Sequence, residues 1–243
     1  MKTAKKAATA IFSLVLLLLA GCNKGTPASS DKAGLSAMPN VAETKDIVPA
    51  TPSNGTKAQL LAAAEPFEVL TETAFDPSAA KVSKTIADAQ AAAPAVRPLL
   101  PASAQSSFDR NMADIKSAGA AANAADLAQS SIENYRILVT QGAGGSPVPA
   151  EVSLLDYAGF RYAADLKATP IRWSDMTAAV DLAKQNWAIV KPQIKDSTAA
   201  SKFQATIDNM AAAAAAKNVD LAKASGGAEL DLVDLLEKSF NTP

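Results

Sequence analysis

Three of the five arginines stand beside an aromatic residue, as Tyr135-Arg136, Arg161-Tyr162 and Arg172-Trp173. A guanidinium next to an aromatic face can hold an anionic or aromatic ligand through paired hydrogen bonds and cation–π attraction. With Asp156, these six residues form the candidate ligand-binding set. They also admit a packing role, in which the arginine stems cover apolar surface and the heads reach water. Asp156 lies four residues from both Val152 and Phe160, close to an apolar helical arc, so its carboxylate needs a partner. Arg136 or Arg172 from a neighbouring helix is the expected one. Asp165 is spaced to meet Arg161 one turn away on the same helix.

Other chemistry is narrowed by what the chain lacks. It contains no histidine, which excludes imidazole metal sites and every Ser–His or Cys–His pair. Its single cysteine cannot form an internal disulfide. Carboxylates remain as metal ligands: Glu133, Asp156, Asp165, Asp175 and Asp181 near apolar seams, and Asp231, Asp234 and Glu237 on the last helix. Asp234 and Glu237 share a face. There is no EF-hand loop, and a solvated or salt-bridged face is the preferred reading of these acids. We therefore expect no metal site, no cofactor and no catalytic residue, and read the chain as not an enzyme. The loop Gly142-Ala143-Gly144-Gly145-Ser146 follows a helix and precedes prolines, so it reads as an interhelical turn and not as a phosphate cradle.

The elements that would position these residues are helical. Apolar residues make up 49% of the 243, charged residues 19%, and alanine occupies 55 positions, which favours helix over strand. Thr56 to Ala74 reads as a first helical region broken at Pro66. Asp76-Pro77 reads as the cap and first turn of a helix running to Ala93, with Pro94, Pro98 and Pro101 forming a corner. A long helical tract is expected from Ala102 to Thr140, in which Gly119 either kinks the helix or admits a close neighbour. Glu151 to Leu166 is the next helix. Ser174 is the expected cap for a seam of Trp173, Met176, Val180, Ala183, Trp187, Val190 and Ile194, stepping three and four. Thr198 to Ala224 is expected as one helix, stopped by Ser225-Gly226-Gly227, with a short helix from Glu229 to Phe240. No internal repeat is evident. The fold class is all-α, an antiparallel helical bundle preceded by a flexible tether.

The amino terminus gives a compartment. Lys2, Lys5 and Lys6 precede an apolar run from Ala7 to Leu19, too short to span a bilayer, which needs about 20 residues. The run ends Leu19-Ala20-Gly21-Cys22, which resembles the lipobox of bacterial lipoproteins. The resemblance implies cleavage before Cys22, acyl chains on Cys22 and attachment to a bacterial envelope membrane. Asn23, not Asp, follows the cysteine, which implies the outer membrane, facing the periplasm. Cleavage removes three lysines and no acids, so the mature chain is mildly acidic and carries no footprint for nucleic acid. The expected organisation is a signal peptide over 1–21, a lipidated Cys22 and disordered linker over 22–55, and a helical-bundle domain over 56–243. The expected function is that of a lipid-anchored, non-catalytic interaction or scaffold protein with an envelope protein as partner. The alternative is an envelope bundle binding a small ligand or metal at the aromatic–arginine region or the acidic clusters.

Overall fold

Five of the described helices begin at a polar side-chain cap (Ser53, Ser78, Asn123, Asp196 and Asn218), and two end at a left-handed residue, Ala122 and Lys217. The structure, a computed structural model, describes residues 52–241. The expected signal peptide, Cys22 and nearly all of the linker lie outside the described residues. Among the described residues there are nine α-helices and no strand: α1 (Asn54–Ala62), α2 (Glu65–Thr73), α3 (Ala79–Val96), α4 (Ala102–Ala120), α5 (Ala124–Gln141), α6 (Ala150–Lys167), α7 (Trp173–Val190), α8 (Ser197–Ala216) and α9 (Val219–Asn241). This is an all-α antiparallel bundle. No described helix is long and apolar enough to cross a membrane.

Five boundaries differ from the sequence reading. The cap of α3 is Ser78, whose hydroxyl accepts from the Lys81 N–H, while Asp76 accepts from the Ser78 N–H and the Lys81 ammonium. That helix also runs through Pro94 to Val96. Helix α7 starts at Trp173 without a side-chain cap, so Ser174 has no capping role. The tract from Ala102 to Thr140 is two helices. Ala122 adopts a left-handed conformation (φ 51°), and Asn123 caps α5 through the Asp126 N–H. Likewise, Lys217 (φ 52°) ends α8 and Asn218 accepts from the Leu221 N–H to start α9. Ser225, Gly226 and Gly227 are then interior to α9, and Gly226 lies under the Tyr162 ring, 3.1 Å from where a Cβ would stand.

These two turns are the same turn. Asn123 N–H bonds to the Ala118 carbonyl and Ala122 N–H to that of Gly119; Asn218 N–H bonds to Ala213 and Lys217 N–H to Ala214. Both are Schellman closures. The correspondence extends through each half. Helix α3 ends at Val96 in a short 3-10 turn over Arg97–Leu99, and α7 ends at Val190 in one over Lys191–Gln193, each with proline at its centre. Phe108, Ile115, Asn123, Leu127, Ser131 and Val139 have the counterparts Phe203, Met210, Asn218, Leu221, Ser225 and Val233. The register slips by one residue between Ile194 and Phe203, and back again just after Asn218. The chain therefore contains a structural repeat, contrary to the sequence reading.

Each repeat closes a four-helix ring. In the first, the broken pair α1–α2 packs on α3 and α5, with α4 between them; in the second, the continuous α6 takes the place of α1–α2, followed by α7, α8 and α9. Each ring has its own core. Phe67 meets Phe108 edge-on in the first, and Trp187 stacks on Phe203 in the second. Helix α6 is the shared wall: Val152, Leu155 and Tyr162 enter the second core, while Tyr157, Phe160 and Ala164 enter the first.

Candidate functional site

The seven residues expected to form one ligand site fall in four places. Arg136 and Arg161 come together, both over the ring of Tyr157, with centroid distances of 5.7 and 5.9 Å. Tyr157 donates to Glu133, Arg136 donates to the same carboxylate at 2.9 Å, and Arg161 donates to the Tyr157 hydroxyl at 3.2 Å. Burial and the Glu133 carboxylate push the Tyr157 hydroxyl up to about 12. This cluster ties α5 to α6; Glu133 and Tyr157 engage its cations, and the buried Nε of Arg161 has no partner among the described residues.

Tyr162 lies in the second core, where its hydroxyl donates to the Met210 carbonyl. Trp173 is half-buried at the start of α7. Arg172 pairs with Asp126 and stands 3.9 Å from Asp165. Asp165 is buried and accepts from Gln129 at 2.8 Å, so its partners are Gln129 and Arg172, not a hydrogen bond from Arg161. Burial, followed by Asp175, raises the Asp165 carboxyl to about 6 against the opposing arginines and Gln129.

Asp156 and Tyr135 form the fourth place, and the expected arginine partner is absent from it. The carboxyl of Asp156 is pushed far above the usual carboxylate range by burial, and then by the charges of Glu68, Glu229 and Glu237; a hydrogen bond from Tyr135 opposes this. At 6% exposure, burial disfavours the charged form of this carboxyl. Tyr135 is itself raised by burial and by Asp156, Glu68 and Glu237, with Ser153 as a hydrogen-bonding neighbour that opposes the rise. The Tyr135 hydroxyl takes the place at Asp156 where the sequence suggested an arginine.

Around this pair the structure gathers acids from separate helices. Glu65 and Glu68 lie in the first turn of α2, where the helix dipole favours negative charge. Glu237 comes from α9. Together with Tyr135 and Ser153 they line a cavity of about 200 Å³. Burial lifts the Glu68 carboxyl to about 7, and the next four causes are all carboxylates: Glu237, Glu65, Glu72 and Asp234. Glu237 is raised by burial and Asp234, with Lys238 opposing. Deeper along α9, Glu229 is fully buried against Gly159, and neither of its oxygens has a hydrogen-bond partner. A Cβ at Gly159 would stand 1.9 Å from Glu229 Oε2, so only glycine admits this side chain. Burial alone raises Glu229 far above its ordinary value.

The second cavity of note is apolar and larger, about 600 Å³, at the end of the second repeat. Ile194, Phe203, Leu232, Leu235, Leu236 and Phe240 line it, and Leu235 is 59% exposed. The sequence shows the wide apolar arc of this last segment, but not that it outreaches the body. Helix α9 continues past the point where its counterpart α5 gives way to a loop at Gly142, so Leu236 and Phe240 have no apolar equivalents in the first repeat.

Among the described residues, no group of three or more acidic or cysteine side chains stands close enough to hold one metal ion. No protein-family model, curated protein or solved structure matches this chain.

Proposed function

We propose that the protein is a lipid-anchored, non-catalytic interaction protein of a bacterial cell envelope. Acyl chains on Cys22 hold it at the outer membrane, facing the periplasm, and its helical body engages another envelope protein. Leu19-Ala20-Gly21-Cys22 supports the anchor. Two or more acyl chains give stable attachment where one is marginal.

The observation that carries the interaction is the apolar cavity walled by Ile194 from the α7–α8 joint and by Leu232, Leu235 and Phe240 of α9. An apolar groove beside a helix suits an amphipathic helix of the partner, whose anchor side chains enter between the two walls. The contrast between repeats favours this use. The first repeat closes the same joint with Leu100 at 3% exposure, whereas its counterpart Ile194 is only half-buried and faces the extended apolar end of α9.

A photo-crosslinking side chain at Leu235, in cells expressing the full chain, tests the reading. Val219, also exposed and apolar at 46%, serves as the control site. A discrete crosslinked product from position 235 and not from 219 is expected. Equal, diffuse labelling from both positions defeats the docking reading. Cys22→Ser should move the protein from the membrane to the soluble envelope fraction, and a protein that stays on the membrane defeats the anchor. The alternative, a ligand-binding bundle, draws no support from the dispersed aromatic–arginine residues, but it does from the acid-lined cavity.

A further inference from the structure

Helix α9 consists of two unlike halves joined at Ser225-Gly226-Gly227. The first half is fixed. Asn218 accepts from the Leu221 N–H, Ala222 is fully buried, and Gly226 sits under the Tyr162 ring, 3.1 Å from where a Cβ would stand. The second half, residues 228–241, is held less firmly. Val233 and Leu236 are buried, but Leu235 is exposed, and the cavity of about 600 Å³ lies between Leu232, Leu235 and Phe240 of this half and Ile194 and Phe203 of the body. The joint itself is weak by composition. Glycine in a helix interior costs stability relative to alanine, and helices bend at Gly/Ser pairs. Ser225 donates to the Leu221 carbonyl one turn back at 2.8 Å, a bond that also favours bending. The Tyr162 ring requires glycine at 226. Nothing requires it at 227, where a Cβ would meet nothing within 4 Å.

Just past the joint stands Glu229, fully buried against the Gly159 backbone of α6 with neither oxygen partnered. On α6, Asp156 lies one turn before Gly159 and Tyr162 one turn after. The Tyr162 hydroxyl donates to the Met210 carbonyl, and Arg161 turns to Tyr157. Tyr135 of α5 and Glu68 of α2 lie behind Asp156. The buried residues of α8, the other helix packed on α9, include no titratable group. Glu229 thus has no ion-pair partner among the described residues. A carboxyl so placed weakens the seating of the half-helix that carries it, most of all when ionised, because its charge has neither water nor a donor. Water reaches it when that half lifts. The first repeat shows that a ring closes without these features: the counterparts of Gly226, Gly227 and Glu229 are Ile132, Glu133 and Tyr135, and Ile132 and Tyr135 are buried.

We propose that Ser225-Gly226-Gly227 is a hinge, and that residues 228–241 are a flap that lifts from α6 and α8 as Glu229 loses its proton. Lifting carries Leu232, Leu235, Leu236 and Phe240 together, so it widens the apolar groove along one wall while the first half of α9 stays packed. Burial holds the Glu229 carboxyl above its ordinary value. The seated flap is therefore favoured at low pH and loses stability as pH rises towards the folded value. The motion belongs to α9 alone and stands whether or not a partner occupies the groove.

Hydrogen exchange of the full mature chain in detergent, read by mass spectrometry as protection factors at pH 6 and pH 9, tests the hinge. In the parent, residues 228–241 should open as one unit, with a single step in protection at Gly227. Their protection should fall at least about tenfold between the two pH values, the equivalent of one unit of pKa shift, while residues 219–224 and α5 change less. Gly227→Ala, whose methyl group enters open space, should raise protection throughout residues 228–241 by about fivefold. Glu229→Gln should remove most of the fall with pH. Simple fraying gives protection that climbs residue by residue from Asn241 inward and does not respond to Gly227→Ala. That pattern overturns the proposal, as does protection over 228–241 equal to that of α8, or a Glu229→Gln variant that loses protection with pH as steeply as the parent.

Discussion

At equivalent places in the two repeats, Tyr135 of the first corresponds to Glu229 of the second, and Leu100 to Ile194. The turns and outer seams show no such divergence. Val96 and Val190 are both buried before a proline-centred 3-10 turn, Phe108 and Phe203 both fill a core, and the two left-handed closures match bond for bond. The elements that make each ring close have thus been kept, because a changed turn would misdirect every helix after it. Change is concentrated on the inner faces of α5 and α9. There, polar and ionisable groups have entered positions that the ring itself does not need.

The strongest challenge to this equivalence is a matched truncation. Phe108→Ala and Phe203→Ala should each cost about 3–5 kcal/mol, with the two values within about 1 kcal/mol of each other. Both phenylalanines are 1% exposed and meet an aromatic neighbour. Chemical denaturation of the two variants measures this. A large cost in one repeat and a small one in the other would show that the cores are not equivalent.

The next test concerns the place where the repeats differ most. Gly159→Ala should destabilise by about 1–3 kcal/mol, because the new Cβ overlaps Glu229 Oε2 and lies 2.7 Å from Leu230 Cδ2. Adding Glu229→Ala should restore part of the loss, since the first overlap disappears. Purely additive costs in the double-mutant cycle would remove the claim that Gly159 exists to admit Glu229.

The inner wall also sets the pH dependence. Glu68, Glu237, Asp156, Asp165 and Glu229 all have carboxyls raised above their unfolded values. In that case the folded state holds protons that the unfolded state has released, so stability is full below the ordinary carboxylate range and falls as pH rises through it towards the folded values. For Glu68 the window runs from about 4.5 to about 7. Asp76 and Asp109, held low by Lys81 and Arg97, act in the opposite sense and at lower pH. The denaturation midpoint should therefore be higher at pH 5 than at pH 7.5. Glu68→Gln should flatten that slope and add about 1–2 kcal/mol at pH 7.5. Asp156→Asn should leave stability at neutral pH unchanged or raised; a marked loss would restore the expected arginine pairing.

How much of this the sequence reveals depends on contrast between neighbouring residues. The α7 seam is legible because Met176, Val180, Trp187 and Val190 stand out against polar positions, and all are buried. The turn at Asn123 is concealed by alanine on either side, and the one at Asn218 follows six alanines and a single Lys217, so neither is marked by a proline or glycine where the helix stops. Asn123 with Asp126 three residues on was the available signal, a cap followed by an acid in the first turn. Ser225-Gly226-Gly227 misleads in the opposite direction, because Gly226 is needed for the approach of Tyr162 and not for a turn. The repeat is hidden for the same reason as the turns: many of its paired positions are alanine, which recurs throughout the chain. The acid-lined cavity is illegible because Glu68 and Glu237 are far apart in sequence and meet at its wall only when both rings have closed.

The finest discrimination between the repeats lies in two pairs of turn contacts. Ala122 and Lys217 both hold left-handed backbone, a conformation that disfavours a side chain by roughly 1–2 kcal/mol. Ala122→Gly and Lys217→Gly should each raise stability by about 0.5–1 kcal/mol, the relief being offset in part by the greater freedom of glycine in the unfolded chain. The smallest effect belongs to the contact that steadies each 3-10 turn against the following helix. In the first repeat Arg97 grips Asp109 through two hydrogen bonds of 2.7 Å; in the second, the equivalent Lys191 donates to Gln204 at 3.2 Å. Both contacts are exposed, so neither contributes much, and only the first is an ion pair subject to screening. Arg97→Ala should lower Tm slightly at low salt and not at all at high salt, whereas Lys191→Ala should show no such salt dependence. A salt-sensitive loss at Lys191 would mean that its positive charge acts on some other group, and that the two turns are held by different forces.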